Sequence, residues 1–317
     1  MDWKNITHRL FGPRATTSRF RVPSLALEVE KGFAVGARLD RASRRIKRIG
    51  VRPVAPDNLP LGPQPLNQEQ AAELQESFCG LASELGGSGG RLGVLLPDGA
   101  VRVTLLKFEA LPDSLRESDA LIRWRLKDYL PYPSQEARVS YDVLRNGSGP
   151  VEVLAMAARA SVVAEYEAAL ERLNGQLTLV LPATAALLPL LPSAGQGQLL
   201  LHASGGGLTT VALAGGRVVL WRYEVVESED GFRATAAAEV ARVLASAHDH
   251  LNIEVQSVWV YARPPAPEDL ATSVQAAIGR EVSSLSCPQP YLAALRADEK
   301  EPFERYGMPF AGLIANG

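Results

Sequence analysis

One arrangement of short strands occurs twice in this chain, and it limits the possible folds more than any other feature. In "SLALEVEKGFAVGARLD" (24–40) apolar and polar residues alternate on either side of Lys31-Gly32, which predicts a hairpin. "RRIKRIGVRPV" adds a third strand whose basic residues face solvent. In "GQLLLHASGGGLTTVALAGGRVVLWRYEVV" (197–226) glycine turns again separate three strands. A helix and then a strand follow each run: "NQEQAAELQESFCGLASEL" (67–85) and "RLGVLL" after the first, "DGFRATAAAEVARVLASAHDHLN" and "VQSVWVYAR" after the second. In the earlier helix Ala71, Leu74, Phe78, Leu81 and Leu85 recur at helical spacing behind Asn67, a residue suited to the N-cap. Hairpin strands, helix and strand, present twice, indicate an internally duplicated α/β fold.

Residues 101–174 belong to neither half. They read β-α-β-β-α, a unit inserted ahead of the buried strand "LTLVLP". Ser114 and Glu117 form a predicted capping box at the start of its first helix. That helix runs into "IRWRLKDYLPYP" (122–133), with Leu115, Ile122, Leu126 and Tyr129 on one face and Leu121, Trp124 and Asp128 on a neighbouring one. Pro131 ends it, because proline lacks an N–H and clashes with the preceding turn. Trp124, Tyr129 and Tyr132 crowd together although aromatic residues make up only 6% of the chain; taken singly, each is an ordinary core or half-core residue. The resulting plan is a basic arm at 1–20, a first domain from 21–98 and 175–194, an inserted subdomain at 99–174 and a second domain at 195–317.

A chain of 317 residues with 46% hydrophobic content has room for two packed domains, and a net charge of −2 gives it no electrostatic reason to seek nucleic acid. The arm is the exception: Lys4, Arg9, Arg14, Arg19 and Arg21 oppose only Asp2, and Trp3, Ile6 and Leu10 repeat at helical spacing. It reads either as a frayed terminus or as a short foot on an anionic membrane. Cys79 and Cys287 make neither a disulfide framework nor a zinc spacing, which fits a reducing cytoplasm. The most lipophilic run, 177–192, is interrupted by Pro182, Pro189 and Pro192 and is too short to span a bilayer. His248 and His250 lie two apart on a helix and face away from each other, which argues against a shared metal.

The block "IRWRLKDYLPYPSQEARVSYDVL" resembles the PilM family of type IV pilus assembly proteins, cytoplasmic relatives of actin and of the division protein FtsA. The family carries a helix with Arg-Trp-Glu that ends in Tyr-Ile-Pro-Phe-Pro. Arg123, Trp124, Tyr129, Pro131, Tyr132 and Pro133 sit at matching positions, with Arg125 in place of the glutamate. The resemblance implies an actin-like, ribonuclease H-like fold of two domains, with 99–174 as the inserted FtsA/PilM-type subdomain. It also implies a place to look for nucleotide.

In that family and its relatives each domain offers phosphate a glycine turn at a hairpin, with a nearby aspartate for Mg²⁺. The first turn, usually Asp-Ile-Gly-Ser-Ser-x-x-Lys, reads "EVEKGFAV" here (28–35). Glu28 stands for the aspartate, Glu30 occupies the glycine position ahead of Gly32, and Val35 replaces the lysine. Two unit charges ~4 Å apart repel by about 4 kcal/mol at an effective dielectric near 20, so a second carboxylate opposes polyphosphate. The second turn, usually Asp-Ile-Gly-x-x-x-Thr, reads "HASGGGLTT" (202–210): His202 replaces the aspartate, Ser204 the glycine, Gly205 keeps the turn supple and Thr209 or Thr210 keeps the threonine. His202 has no carboxylate near it in sequence and reads as structural. Where relatives place a Gly-Gly turn for adenosine, "ARPPAP" (262–267) offers proline nitrogens with no proton. Only one helix fits between "RYEVV" and "VQSVW", so the subdomain that covers nucleotide in relatives is expected to be missing.

The expectation is a cytoplasmic, non-enzymatic scaffold of a pilus or related secretion apparatus, peripheral to the inner membrane through its partners, with no cofactor, neither ATP nor Mg²⁺. The resemblance implies a PilN-like inner-membrane protein as partner, bound through its cytoplasmic N-terminal segment. Arg123, Trp124, Tyr129 and Tyr132 are the candidate contact residues; other pilus proteins and self-association remain open. Two rival readings stand beside it: an active actin-like ATPase or actin-fold kinase, and a GspL-like type II secretion component.

Overall fold

The computed structural model describes residues 22–55, 59, 61–87, 89–144, 150–192, 197–226 and 228–315. The basic arm at 1–20, including Trp3, Ile6 and Leu10, lies outside the described residues.

Two five-stranded sheets share one plan. In the first, β1 (Leu25–Glu30), β2 (Phe33–Asp40) and β3 (Arg45–Pro53) form an antiparallel meander, and β4 (Gly90–Leu96) and β8 (Gly175–Pro182) continue it in parallel, in the order β3-β2-β1-β4-β8. In the second, β9 (Gly197–Ser204), β10 (Gly207–Ala214) and β11 (Arg217–Val225) form the meander, followed by β12 (Val255–Ala262) and β13 (Val282–Ser284), in the order β11-β10-β9-β12-β13. Strand order and pairing sense match position for position, so the duplication read from the sequence is a duplication of topology. β13 went unread in the sequence, because three residues are too few to show alternation. β1 is buried along its whole length, two glutamates included, because both faces of the sheet are covered.

Between β4 and β8 lies the insertion: β5 (Val101–Phe108), α2 (Leu115–Leu126), β6 (Ala137–Leu144), β7 (Val151–Arg159) and α3 (Ala160–Glu171), its strands in the antiparallel order β5-β7-β6. α3 packs on α1 (Gln68–Glu84), tying the insertion to the first lobe. Asn67 and Gln70 cap α1 reciprocally. The box expected at Ser114 and Glu117 is absent. Ser114 holds the N-cap position without a side-chain bond, and Ser118 instead donates to the Pro112 carbonyl at 2.7 Å. α2 buries Ser118, Ile122 and Leu126 and stops at Leu126, ahead of Pro131, while Leu115, expected on the buried face, is 78% exposed.

One helix, α5 (Phe232–Leu251), separates β11 from β12, after the short α4 (Ala183–Leu187) that follows β8. The closing helix (Met308–Ala315) leaves the second lobe and packs against α4, β2 and β3 of the first, with every residue from Met308 to Ile314 buried. Residues grouped by sequence with the second domain thus help to build the core of the first. Gly312 permits the approach: a Cβ there would overlap the Ala186 carbonyl. Among the described residues no helix is long and apolar enough to cross a membrane.

Candidate functional site

The two hairpin turns face each other across the gap between the lobes. On β1, Glu28 and Glu30 lie two residues apart and so project from the same face of the strand. On the opposite lobe, β12 delivers Arg263 one residue past its end, within the segment where the resemblance implied a glycine turn. Its guanidinium, fully buried, donates to both Glu28 oxygens at 2.9 and 2.7 Å and to Glu30 Oε1 at 3.4 Å. The backbone anchors it through Arg263 N donating to the Ala203 carbonyl, and the Phe33 and Tyr261 rings lie against the cation. A buried charge is tolerated only when paired in this way. The two acids of the first turn are thus paired from the other lobe by Arg263, whose part could not be read from the sequence.

Glu30 reaches the second turn itself. Gly205 has φ +67°, which favours glycine, and a Cβ there would collide with the Glu30 carboxylate. The acid of the first turn thus occupies the space over the glycine of the second. Burial pushes the Glu30 carboxyl up; Arg263 opposes the shift, Glu28 and Asp98 add to it, and the result is about 8.

A second cluster sits beside the first. Asp98, in the turn after β4, accepts from Thr209 Oγ1 at 2.8 Å, from Thr184 N at 3.0 Å and from the Thr184 hydroxyl. His202 Nδ1 lies 2.7 Å from Thr184 Oγ1 and 3.3 Å from Asp98 Oδ2. Thr184 gives its single proton to Asp98, so Nδ1 is the donor toward Thr184, and Nε2 is left as a lone pair without a hydrogen-bond partner. Burial drives the His202 pKa down and keeps the ring neutral. Burial also pushes the Asp98 carboxyl up, but the bonds from His202 and Thr184 prevail and hold it down. His202, read from the sequence as lacking a carboxylate partner, has one in Asp98, contributed by the other lobe from 104 residues away. Nε2 makes no bond to Ser204, whose hydroxyl is likewise without a partner. Among the described residues no three His, Cys, Asp or Glu side chains are grouped to hold a metal.

Outside these clusters a groove of about 710 Å³ runs between the insertion and the second lobe. Its walls are two edge strands, β5 at Val101–Val103 and β11 at Trp221, Tyr223 and Val225, with the corner Tyr129–Tyr132 at one end and Leu59, Leu61, Gly62 and Pro63 at another. Of the four candidate contact residues, Tyr129 and Tyr132 line it. The Tyr132 hydroxyl is buried without a partner, and burial pushes its pKa up to about 12. Arg123 does not line the groove: it pairs with Asp119 at 3.0 Å and donates to the Ala137 carbonyl at 3.0 Å, fastening α2 to β6. Trp124 is 55% exposed under the Lys127 ammonium, also away from the groove.

No protein-family model matches the chain, and no curated protein matches it in sequence. Solved structures do. The chain is similar to a chain of a PilM–PilN type IV pilus biogenesis complex, with a TM-score of 0.78 at 18% identity, covering 93% of this chain and 98% of that one. It is also similar to an actin-like ATPase-fold protein of unknown function from Bacteroides thetaiotaomicron, with a TM-score of 0.53 at 10% identity over 86% of this chain and 92% of the other. The ethanolamine utilization protein EutJ from Carboxydothermus hydrogenoformans matches with a TM-score of 0.50 at 9% identity, over 96% and 93% of the two chains. With its two matched sheets and three-stranded insertion, the chain has the actin-like fold, on the plan of the PilM–PilN complex over nearly its whole length.

Proposed function

We propose that this protein is a non-catalytic, PilM-type scaffold of a type IV pilus or related secretion apparatus. It sits on the cytoplasmic side of the inner membrane and holds the N-terminal segment of a PilN-like membrane protein in the groove beside Tyr129 and Tyr132. The observation that carries the loss of nucleotide chemistry is the fully buried Arg263, chelated by Glu28 and touching Glu30 between the two turns. A polyphosphate entering there would meet the carboxylates of Glu28 and Asp98 and the acid of Glu30, and the guanidinium of the cluster is already engaged. Removing one partner from a buried ion pair costs about 3–5 kcal/mol.

The groove supports the second half of the reading. It lies within the ~300–1,000 Å³ typical of pockets that engulf a ligand. Its flanking strands both end their sheets, so each presents backbone groups to which an extended segment can add. Val225, 64% exposed, and the unpartnered Tyr132 hydroxyl offer such a segment an apolar and a polar contact.

The experiment is a pair of titrations. A fluorescent peptide covering the cytoplasmic leader of the PilN-like protein should bind, and Tyr132→Ala should weaken it about tenfold, the effect of losing roughly 1.4 kcal/mol. ATP with Mg²⁺, followed by calorimetry and phosphate release, should give neither heat nor turnover. Nucleotide binding with hydrolysis would establish the ATPase reading in its place.

A further inference from the structure

At the inner end of the groove lies a second cavity, of about 10 Å³, lined by Glu30, Asp98, His202, Ser204, Thr209 and Tyr223 among others. Leu61, Gly99, Gly206 and Tyr223 border both spaces, so the small one opens from the large. About 10–15 Å³ admits one water-sized group. The chemistry around it leans to acceptors, although the Ser204 and Tyr223 hydroxyls can also donate. The Thr209 and Thr184 hydroxyl protons are spent on Asp98. His202, 1% exposed, keeps an unpartnered Nε2 lone pair, and the Ser204 hydroxyl is likewise unpartnered. Glu28 and Glu30 share the Arg263 guanidinium, and Asp98, also buried, has no cation of its own beside it but the neutral His202 ring. The cavity therefore lacks a small, positive, donor-rich group. A metal is the poorer fit, since no three ligating side chains converge among the described residues.

We propose that this cavity is a binding site for a primary ammonium group carried on an apolar stem that lies in the groove, its protons directed to Glu30 and to His202 Nε2. An ammonium has the size of a water, carries only donors and supplies the missing charge. The proposal deepens the groove reading above and rests on it for the natural source, which is a lysine or the free terminus of the bound segment.

The test begins without the partner. n-Hexylammonium, 1-hexanol and hexanoate are compared as ligands of the whole protein by chemical-shift titration. The ammonium should bind at least about tenfold more tightly than the isosteric alcohol, the discrimination expected of a buried charge partner. At pH 9, where the Glu30 carboxyl has lost its proton and the hexyl amine is still an ammonium, Glu30→Gln, which retains an acceptor for Arg263, should remove that preference. Gly206→Leu should block the passage; Gly206 lacks a left-handed φ and a Cβ there meets nothing within 4 Å, so the fold accommodates the change. Equal binding of alcohol and ammonium, or a preference untouched by both variants, overturns the proposal. With the partner peptide, acetylating its terminus and replacing its lysines with methionine identify which amine enters. A peptide that binds but is indifferent to both changes overturns the ammonium site and leaves the groove reading standing. A peptide that fails to bind while hexylammonium keeps its preference supports the site and sinks the partner.

Discussion

Arg263 is held by residues more than 230 positions away in sequence, Glu28 at a separation of 235 and Glu30 at 233. Replacing it with methionine should destabilise the protein by about 3–5 kcal/mol in urea denaturation, and Glu28→Leu added to it should recover much of that loss, because an apolar pair replaces a stranded charge. Glu30 carries the pH dependence. Its carboxyl ionises near 4.5 when free and keeps its proton to about 8 in the fold, so the folded state holds the extra proton and stability falls as pH rises between those limits. His202 works in the opposite direction only below its ordinary 6.5, where the unfolded chain takes up a proton that the folded one refuses. From pH 6.5 to 8 the Glu30 effect stands clear of it. There, stability should fall by up to about 1.4 kcal/mol per pH unit, and Glu30→Gln should flatten the slope. Glu30 could be singled out from sequence because the turn fixes its place by counting. Arg263 and Asp98 could not, because their roles arise from contacts across the chain that no local pattern records.

Elements were legible in proportion to how local their causes are. The meanders, α1 behind its Asn67 cap, and the β-α-β-β-α insertion follow from spacing and turn residues a few positions apart. The start of α2 did not follow, because two serines compete there and the tertiary setting favours the second: Ser118 reaches the Pro112 carbonyl while Ser114 bonds nothing. Thermal unfolding should separate them. Ser118→Ala is expected to cost about 1 kcal/mol, the net worth of a buried hydrogen bond, and Ser114→Ala less than about 0.5, as for an ordinary surface change. Of the aromatic block on this stretch, Tyr129 and Tyr132 line the groove while Trp124 faces solvent; a run of similar side chains does not reveal which of them look inward until the chain turns at Pro131.

For the whole molecule, the internal duplication was visible in advance, though not the strand order within the sheets, and the destination of the closing helix was not, since a helix apolar on all sides announces only that it is buried. Its berth depends on Gly312. Gly312→Ala should cost at least about 2 kcal/mol through overpacking against Ala186, and hydrogen exchange should rise in the first lobe as well as in the helix. The same arrangement constrains how the protein is born. A segment made after the second lobe completes the hydrophobic centre of the first, so the lobe that leaves the ribosome earlier stays unfinished until translation has passed both. Such a chain exposes its first centre longest, and its yield in the cell should depend on chaperones more than its final stability suggests.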